Sequence, residues 1–482
     1  MDRQIRRVGI VLMALLAALF IQLNNIQVLQ ADKLASDPRN TRNATRDFSR
    51  DRGQILSADG AVLARSVATE GPFQRLRQYP EHDLFAHVTG YFSFTFGSDG
   101  VERTFNDVLA GRDMQIRQLR DLLTDRVLTN DVTLSISKRV QQAARDALGN
   151  RKGAVVALDP TTGAVLAFWS FPSYDPERLS VHDQQSVQQA WDELTKDANR
   201  PMLPRTYRRT YPPGSTFKVV TSAAALERAP ELVTKDYPRL RALDLPQTDK
   251  DLPNFGGSSC GGTLPQLLRV SCNTGYAQMG LDLGADRLAG EAHEFGFGAR
   301  PPFDLPAAAR SVFPDAEEFD RDLPGLAQSA IGQQSVAATP LEMALVAAGV
   351  ANGGKIMKPH VLAEVRDNEG NVVRTAQPGE WLTATSPETA AALRDMMVAV
   401  VNGGTATRAA VPGVQVAAKT GTAQTTGDNS HAWIVAFAPA EAPKVALAVI
   451  VESQPGLGDT VTGGRIAAPI ARAVIQAALS GP

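Results

Sequence analysis

The sequence predicts an α+β chain: an antiparallel sheet covered by helices, preceded by a membrane anchor and a strand-rich N-terminal module. Three observations predict it. Near the C-terminus "VQVAAKTGTAQ", "HAWIVAFAP" and "KVALAVIVE" follow one another with turn residues between them, the pattern of an antiparallel meander. The region before the meander reads as helical, and "RIAAPIARAVIQAAL" closes the chain as a helix. Strands, then helices, then strands and a terminal helix suit a sheet with helices packed on it.

Composition narrows the class. The chain has 482 residues, enough for two or three domains, and 43% hydrophobic with 21% charged residues describes a globular protein. A net charge of -2 with no long basic run gives no reason to expect a nucleic-acid partner. The six histidines are scattered, without HExxH or C-x-x-C spacing, so no metal and no cofactor are expected.

Taken in order, the chain opens with Arg3, Arg6 and Arg7 before an apolar run from Val8 to Ile21. Basic residues on this side place 1–7 in the cytoplasm and export the rest. The run alone is short for a bilayer and also suits a cleavable signal peptide. Ala31 has Leu29 at its -3 position, a poor cleavage site, so we read 8–29 as an uncleaved anchor. Residues 30–150 form the module, with a hairpin around Asp59-Gly60 in "QILSADGAVLARS".

A boundary near Gly149 to Gly153 opens the second domain, 151–482. There "GAVVALD" and "AVLAFWS" flank "PTTG", two apolar strands expected at the centre of a sheet. In "ATPLEMALVAAGVANGG", Thr339 fits the N-cap, Pro340 the first helical position and Glu342 the capping-box position, with Gly353-Gly354 as the stop.

Chemistry enters with "YPPGSTFKVV". Pro-Pro-Gly ends what precedes it, so Ser215 opens a helix and Lys218 lies one turn on, on the same face. Spacing alone proves nothing, because Ser135 and Lys138 repeat it within an alternating strand pattern. Two further motifs follow Ser215 in order: Ser271-Cys272-Asn273, an S-x-N, and Lys419-Thr420-Gly421 on a predicted strand. The ordered set S-x-x-K, S-x-N, K-T-G is the signature of penicillin-binding proteins and class A β-lactamases.

On these motifs the chain resembles the monofunctional class B penicillin-binding proteins. The likeness runs from "RGQILSADG" and "GSDGVERTFNDVLAG" through "TYPPGSTFK", "SCNTGYAQ" and "IGQQSVAATPLEMA" to "AAKTGTAQ" and "HAWIVAFAP". One departure is Gln333, where the family often has glycine. The resemblance implies a penicillin-binding/β-lactamase-like fold and transpeptidation of peptidoglycan stem peptides ending in D-Ala-D-Ala. It also implies acylation of Ser215 by β-lactams and a polytopic membrane glycan polymerase as partner.

The residue types support such chemistry. A serine needs a base, and Lys218 is in reach, but neutrality half the time at pH 7 needs a shift of ~3.4 units, roughly 4.6 kcal/mol. Apolar neighbours Phe217, Val219 and Val220 suggest burial, Lys419 is a second cation, and Ser271 can relay the proton. The Ser215 N-H at a helix start and, by resemblance, the Thr422 N-H would hold the oxyanion. Asn273 suits a peptide amide, Lys419 and Thr420 a terminal carboxylate, and Gly421 leaves room for substrate along the strand.

Other readings share parts of this set. A β-lactamase or β-lactam sensor has the motifs, yet no ExxLN-like element lies between Asn273 and Lys419. A D,D-carboxypeptidase differs only in using water as acceptor, and a non-catalytic wall scaffold has no need of the motifs. Cys260 and Cys272, the only cysteines, are a candidate disulfide in an exported chain, with a buried free thiol as the alternative.

Overall fold

The computed structural model describes residues 2–30, 41–70, 73–112, 129–424, 430–453 and 462–480. Helix Asp2–Asn24 continues through a wider turn at Asn25–Leu29, and Arg3–Gln27 is long and apolar enough to cross a membrane. Leu12, Leu16, Leu19 and Phe20 on it are exposed, as a helix needing an apolar surrounding would leave them.

The expected hairpin is present: Ile55–Leu56 pairs antiparallel with Val62–Ala68, and Gly60 takes φ 78 in the turn. Short helices, among them Thr41–Ser49 and Gly100–Thr104, accompany the module's strands. Glu102 is buried between Arg52 (2.7 Å) and Arg77 (2.6 Å) and ties the helix Gly100–Thr104 to the strand Arg75–Gln78.

The module's sheet does not end at residue 150. Its order is Val372–Thr375, Leu362–Arg366, Asp131–Leu134, Ile55–Leu56, Val62–Ala68, Arg75–Gln78. A hairpin from the second half of the chain thus covers what would be the open edge of Asp131–Leu134.

The larger sheet has five strands: β1 (Gly153–Leu158), β2 (Val165–Phe171), β3 (Ala417–Gln424), β4 (Ser430–Ala438) and β5 (Val445–Val451). Their order is β3-β4-β5-β1-β2, and every neighbouring pair is antiparallel. The meander is as read from the sequence. The expectation that "AVLAFWS" is central fails, because β2 is an edge strand. Its apolar run reflects layers packed on it, including α1 (Lys138–Leu148), and an apolar run marks burial rather than position in the order.

The remaining helices that matter here are α2 (Lys218–Arg228), α3 (Leu264–Val270), α4 (Asn273–Leu283), α5 (Pro340–Ala351) and α6 (Ala468–Leu479). Every residue of β5 is buried, which a strand achieves only with both faces covered, and α5 and α6 both pack on it. At the start of α5 the Thr339 hydroxyl accepts the Glu342 N-H at 3.0 Å. The reciprocal half of the expected capping box is missing. The Glu342 carboxyl is instead buried beside Gly296 and Trp381, and among the described residues neither oxygen has a hydrogen-bond partner.

Candidate active site

Three backbone segments meet at the inner end of β3. The first is the Ser215 turn. Trp433 Nε1 donates to Pro212 O (3.0 Å), Gly214 N-H to Gly332 O (2.8 Å), and the Tyr211 and Ala338 backbones bond to each other. The Tyr211 hydroxyl donates to Glu452 at 2.7 Å. Gly214 has φ 54, and a Cβ on it would come within 2.9 Å of Thr422 O, so only glycine fits. Residues Gly214–Thr216 make a 3-10 turn that feeds α2 at Lys218. Ser215 therefore sits in a tighter turn than the expected helix start.

The second segment is the S-x-N tripeptide, which is the break between α3 and α4. Helix α3 ends in a Schellman arrangement: Cys272 N-H reaches Leu267 O (3.0 Å) and Ser271 N-H reaches Leu268 O (3.2 Å). Glycine usually fills the left-handed position of this motif, but here it is Ser271, at φ 59. Such a residue costs about 1–3 kcal/mol, so the surroundings must hold it. Asn254 does much of this: its Oδ1 accepts the N-H of Asn273 (2.9 Å) and of Thr274 (3.0 Å), orphans at the start of α4. Its Nδ2 donates to Leu240 O and Ser258 O. A Cys260–Cys272 disulfide ties the same break to the short strand Cys260–Gly262.

The third segment is β3, the edge strand, which carries Lys419, Thr420, Gly421 and Thr422. Lys419 Nζ donates to Ser271 Oγ at 2.8 Å and to Thr420 O at 2.7 Å. Lys218 Nζ donates to Ser271 O (2.9 Å), to Asn273 Oδ1 (2.8 Å) and to Ser271 Oγ (3.4 Å). Two buried lysines thus converge on one hydroxyl. Burial, then the Lys419 charge, push Lys218 well below an ordinary lysine, and burial brings Lys419 down to about 7. The Tyr276 ring lies 5.3 Å from Lys218 Nζ, and its hydroxyl bonds Ser222 at 2.6 Å.

Three details add to the reading from the sequence. A Cβ on Gly421 would stand 3.0 Å from Pro213 O and Thr216 Cγ2, so this glycine lets β3 pack against the Ser215 turn. That is a packing reason in addition to the expected substrate reason. In the loop of Gly332, the glycine-like backbone (φ 60) belongs to Gln334, one residue after the position singled out from the sequence. Asn273 Nδ2 donates to Pro253 O at 3.2 Å, while its oxygen is turned to Lys218.

The second S-x-x-K is structural. Ser135 donates to Val165 O (2.8 Å) and Lys138 pairs with Glu81 (2.7 Å) on the far side of β2 from the lysine pair's strand. Asn254, Tyr211, Glu452 and Tyr276 were not singled out from the sequence. A lone asparagine in a loop carries no signal there, because its side-chain partners come from three separate segments.

A serine turn, a helix break and a β-strand edge bringing two lysines to one serine define the serine–lysine class of penicillin-interacting proteins. The chain matches the penicillin binding protein transpeptidase domain over residues 153–476, and it belongs to that family. Residues 52–130 match the penicillin binding protein A dimerisation domain. Peptidoglycan D,D-transpeptidase PbpA of Mycolicibacterium smegmatis is 42% identical, over 99% of both chains. The protein of that name from Mycobacterium tuberculosis is 41% identical over the whole of both. The ceftriaxone acyl-enzyme complex of penicillin-binding protein A from M. tuberculosis superposes with a TM-score of 0.84 at 40% identity, covering 90% of this chain and all of that one.

Proposed function

We propose that this protein is a peptidoglycan D,D-transpeptidase that cross-links stem peptides through an acyl-enzyme on Ser215 and is acylated there by β-lactams. The observation that carries the reading is the meeting of Lys218 and Lys419 on Ser271 Oγ, with Lys218 standing one turn on from Ser215 along the chain. Names and complexes of the relatives, including acyl-enzymes with ceftriaxone and penicillin G, support it.

In this reading neutral Lys218 takes the Ser215 proton as Oγ attacks the carbonyl of the penultimate D-alanine. The N-H groups of Ser215 and Thr422 hold the oxyanion. The C-N bond to the last D-alanine then breaks, and its nitrogen takes a proton delivered through Ser271. An ester on Ser215 remains. The amine of a second stem peptide attacks that ester, a proton returns to the Ser215 oxygen, and the new amide is the cross-link. Lys419 and Thr420 hold the terminal carboxylate. Asn273 Nδ2 exchanges Pro253 for a substrate amide carbonyl, while its oxygen keeps Lys218 in place.

The domain assignment goes with this: 1–7 cytoplasmic, 8–29 anchor, 30–150 a non-catalytic module, 151–482 the transpeptidase outside the cell membrane. A polytopic glycan polymerase is the partner of the anchor and module. N-terminal sequencing of native protein tests the anchor, since a chain beginning at Asp32 would show cleavage. Fluorescent penicillin with mass mapping tests the chemistry. The adduct is expected on Ser215 and absent from a folded Ser215→Ala variant. Labelling on Ser135, or labelling that survives the change, refutes the assignment.

A further inference from the structure

The Thr420 hydroxyl has a partner that no motif marks. Thr405 Oγ1 lies 2.5 Å from Thr420 Oγ1, and the two hydroxyls share a hydrogen bond. Thr405 follows the helix Pro387–Gly403, in a loop pinned by the N-H groups of Gly404 and Ala406, both donating to Val400 O at 3.1 Å. A Cβ on Gly404 would stand 2.2 Å from Arg269 O, in the last turn of α3 ahead of Ser271. On the other side, a Cβ on Gly464 would stand 2.3 Å from Thr405 O. Two glycines therefore let this loop close tightly between the α3 end and the segment after β5. Thr405 is held at the β3 edge with little freedom.

A hydroxyl carries one proton. Thr420 can give that proton to a carboxylate only if its bond with Thr405 runs the other way, with Thr405 as donor. Among the described residues Thr405 is the side chain hydrogen-bonded to the Thr420 hydroxyl. A donor behind a donor also polarises it, strengthening its bond to an anion.

We propose that Thr405 is a positioning residue for recognition of a terminal carboxylate: it donates to Thr420 Oγ1 and so turns the Thr420 proton to the carboxylate of a peptide or β-lactam. This rests on the carboxylate-holding role proposed above for Thr420.

The test uses the full-length protein in detergent and compares acylation rates for benzylpenicillin and its methyl ester, which keeps the reactive carbonyl and loses the charge. Wild type, Thr405→Val, Thr405→Ser, Thr420→Val and the Thr405→Val/Thr420→Val pair are measured. In Thr405→Val the acid-to-ester rate ratio is expected to fall about tenfold, the order for weakening one hydrogen bond to a charged group. Thr405→Ser restores it, and the double variant falls no further than Thr420→Val alone. Parallel loss of both rates in Thr405→Val, or an unchanged ratio, overturns the proposal. If Thr420→Val also leaves the ratio unchanged, the carboxylate role of Thr420 is what failed, and Ser215 labelling stands apart from both.

Discussion

Replacing Glu342 by glutamine separates a buried charge from everything around it. Both oxygens of this carboxyl are buried without a hydrogen bond among the described residues, and burial raises its pKa from 4.5 to about 8. The folded chain therefore keeps a proton, between those two values, that the unfolded chain releases. With more protons bound in the native state, stability falls as pH rises from about 4.5 to 8, then levels off. At pH 9 the accumulated loss is about 5 kcal/mol, against about 1 kcal/mol at pH 5. Glutamine has the same shape and no charge. Glu342→Gln should therefore be close to neutral at pH 5 and stabilising at pH 9, a difference of about 4 kcal/mol. A domain of roughly 330 residues has an unfolding entropy of about 0.7 kcal/mol/K, so the gain in Tm should grow by about 6 °C between the two pH values. Thermal unfolding of both proteins across pH 5 to 9 measures it. A Tm difference that does not change with pH would refute the buried, unpaired carboxylate.

Lys419→Ala should slow penicillin acylation about a hundredfold or more and move the rising limb of its pH profile upward, because a charge that lowers Lys218 is lost; an unmoved limb removes the charge role. Asn254→Ala strands two N-H groups at the start of α4 and should cost about 2–4 kcal/mol of stability together with slower acylation; Asn254→Asp, which keeps the acceptor, should recover part of both, and unchanged acylation in the alanine variant refutes the positioning role. Reducing Cys260–Cys272 should slow acylation while circular dichroism stays native, since the bridge tethers the Ser271 break; loss of the folded signal on reduction would mean it supports the whole domain.

What was legible in the chain was local. Ser215 and Lys218 stand one turn apart, the meander alternates with turns, and Thr339 caps α5, because each depends on residues a few positions away. What stayed hidden depends on pairs brought together from far apart. The Leu362–Thr375 hairpin joins a sheet begun near residue 55, and nothing in its own sequence names that partner. Asn254 and Thr405 are common polar residues whose meaning lies in the N-H and hydroxyl groups the fold sets beside them. Glu342 was misread for the same reason. Its spacing fits a capping box, but the layer over α5 closes on the side chain before it can turn back.

The lysine pair shows how the distant contacts complete the local motif. Phe217, Val219 and Val220 are enough to suggest that Lys218 is buried, but not how a second buried lysine could be tolerated beside it. The two share the Ser271 side chain rather than a carboxylate, so among the described residues neither is neutralised by an ion pair, and both stay easier to deprotonate than a surface lysine. A carboxylate in that place would hold both charged and leave no neutral lysine for the proposed role of base. The hydroxyl must instead be held against its own backbone preference, at φ 59, which is the work of the Schellman turn, the Asn254 bonds and the disulfide. Loosening the disulfide should therefore show first in the pH dependence of acylation, before it shows in the stability of the fold, whereas losing the Asn254 bonds should show in both.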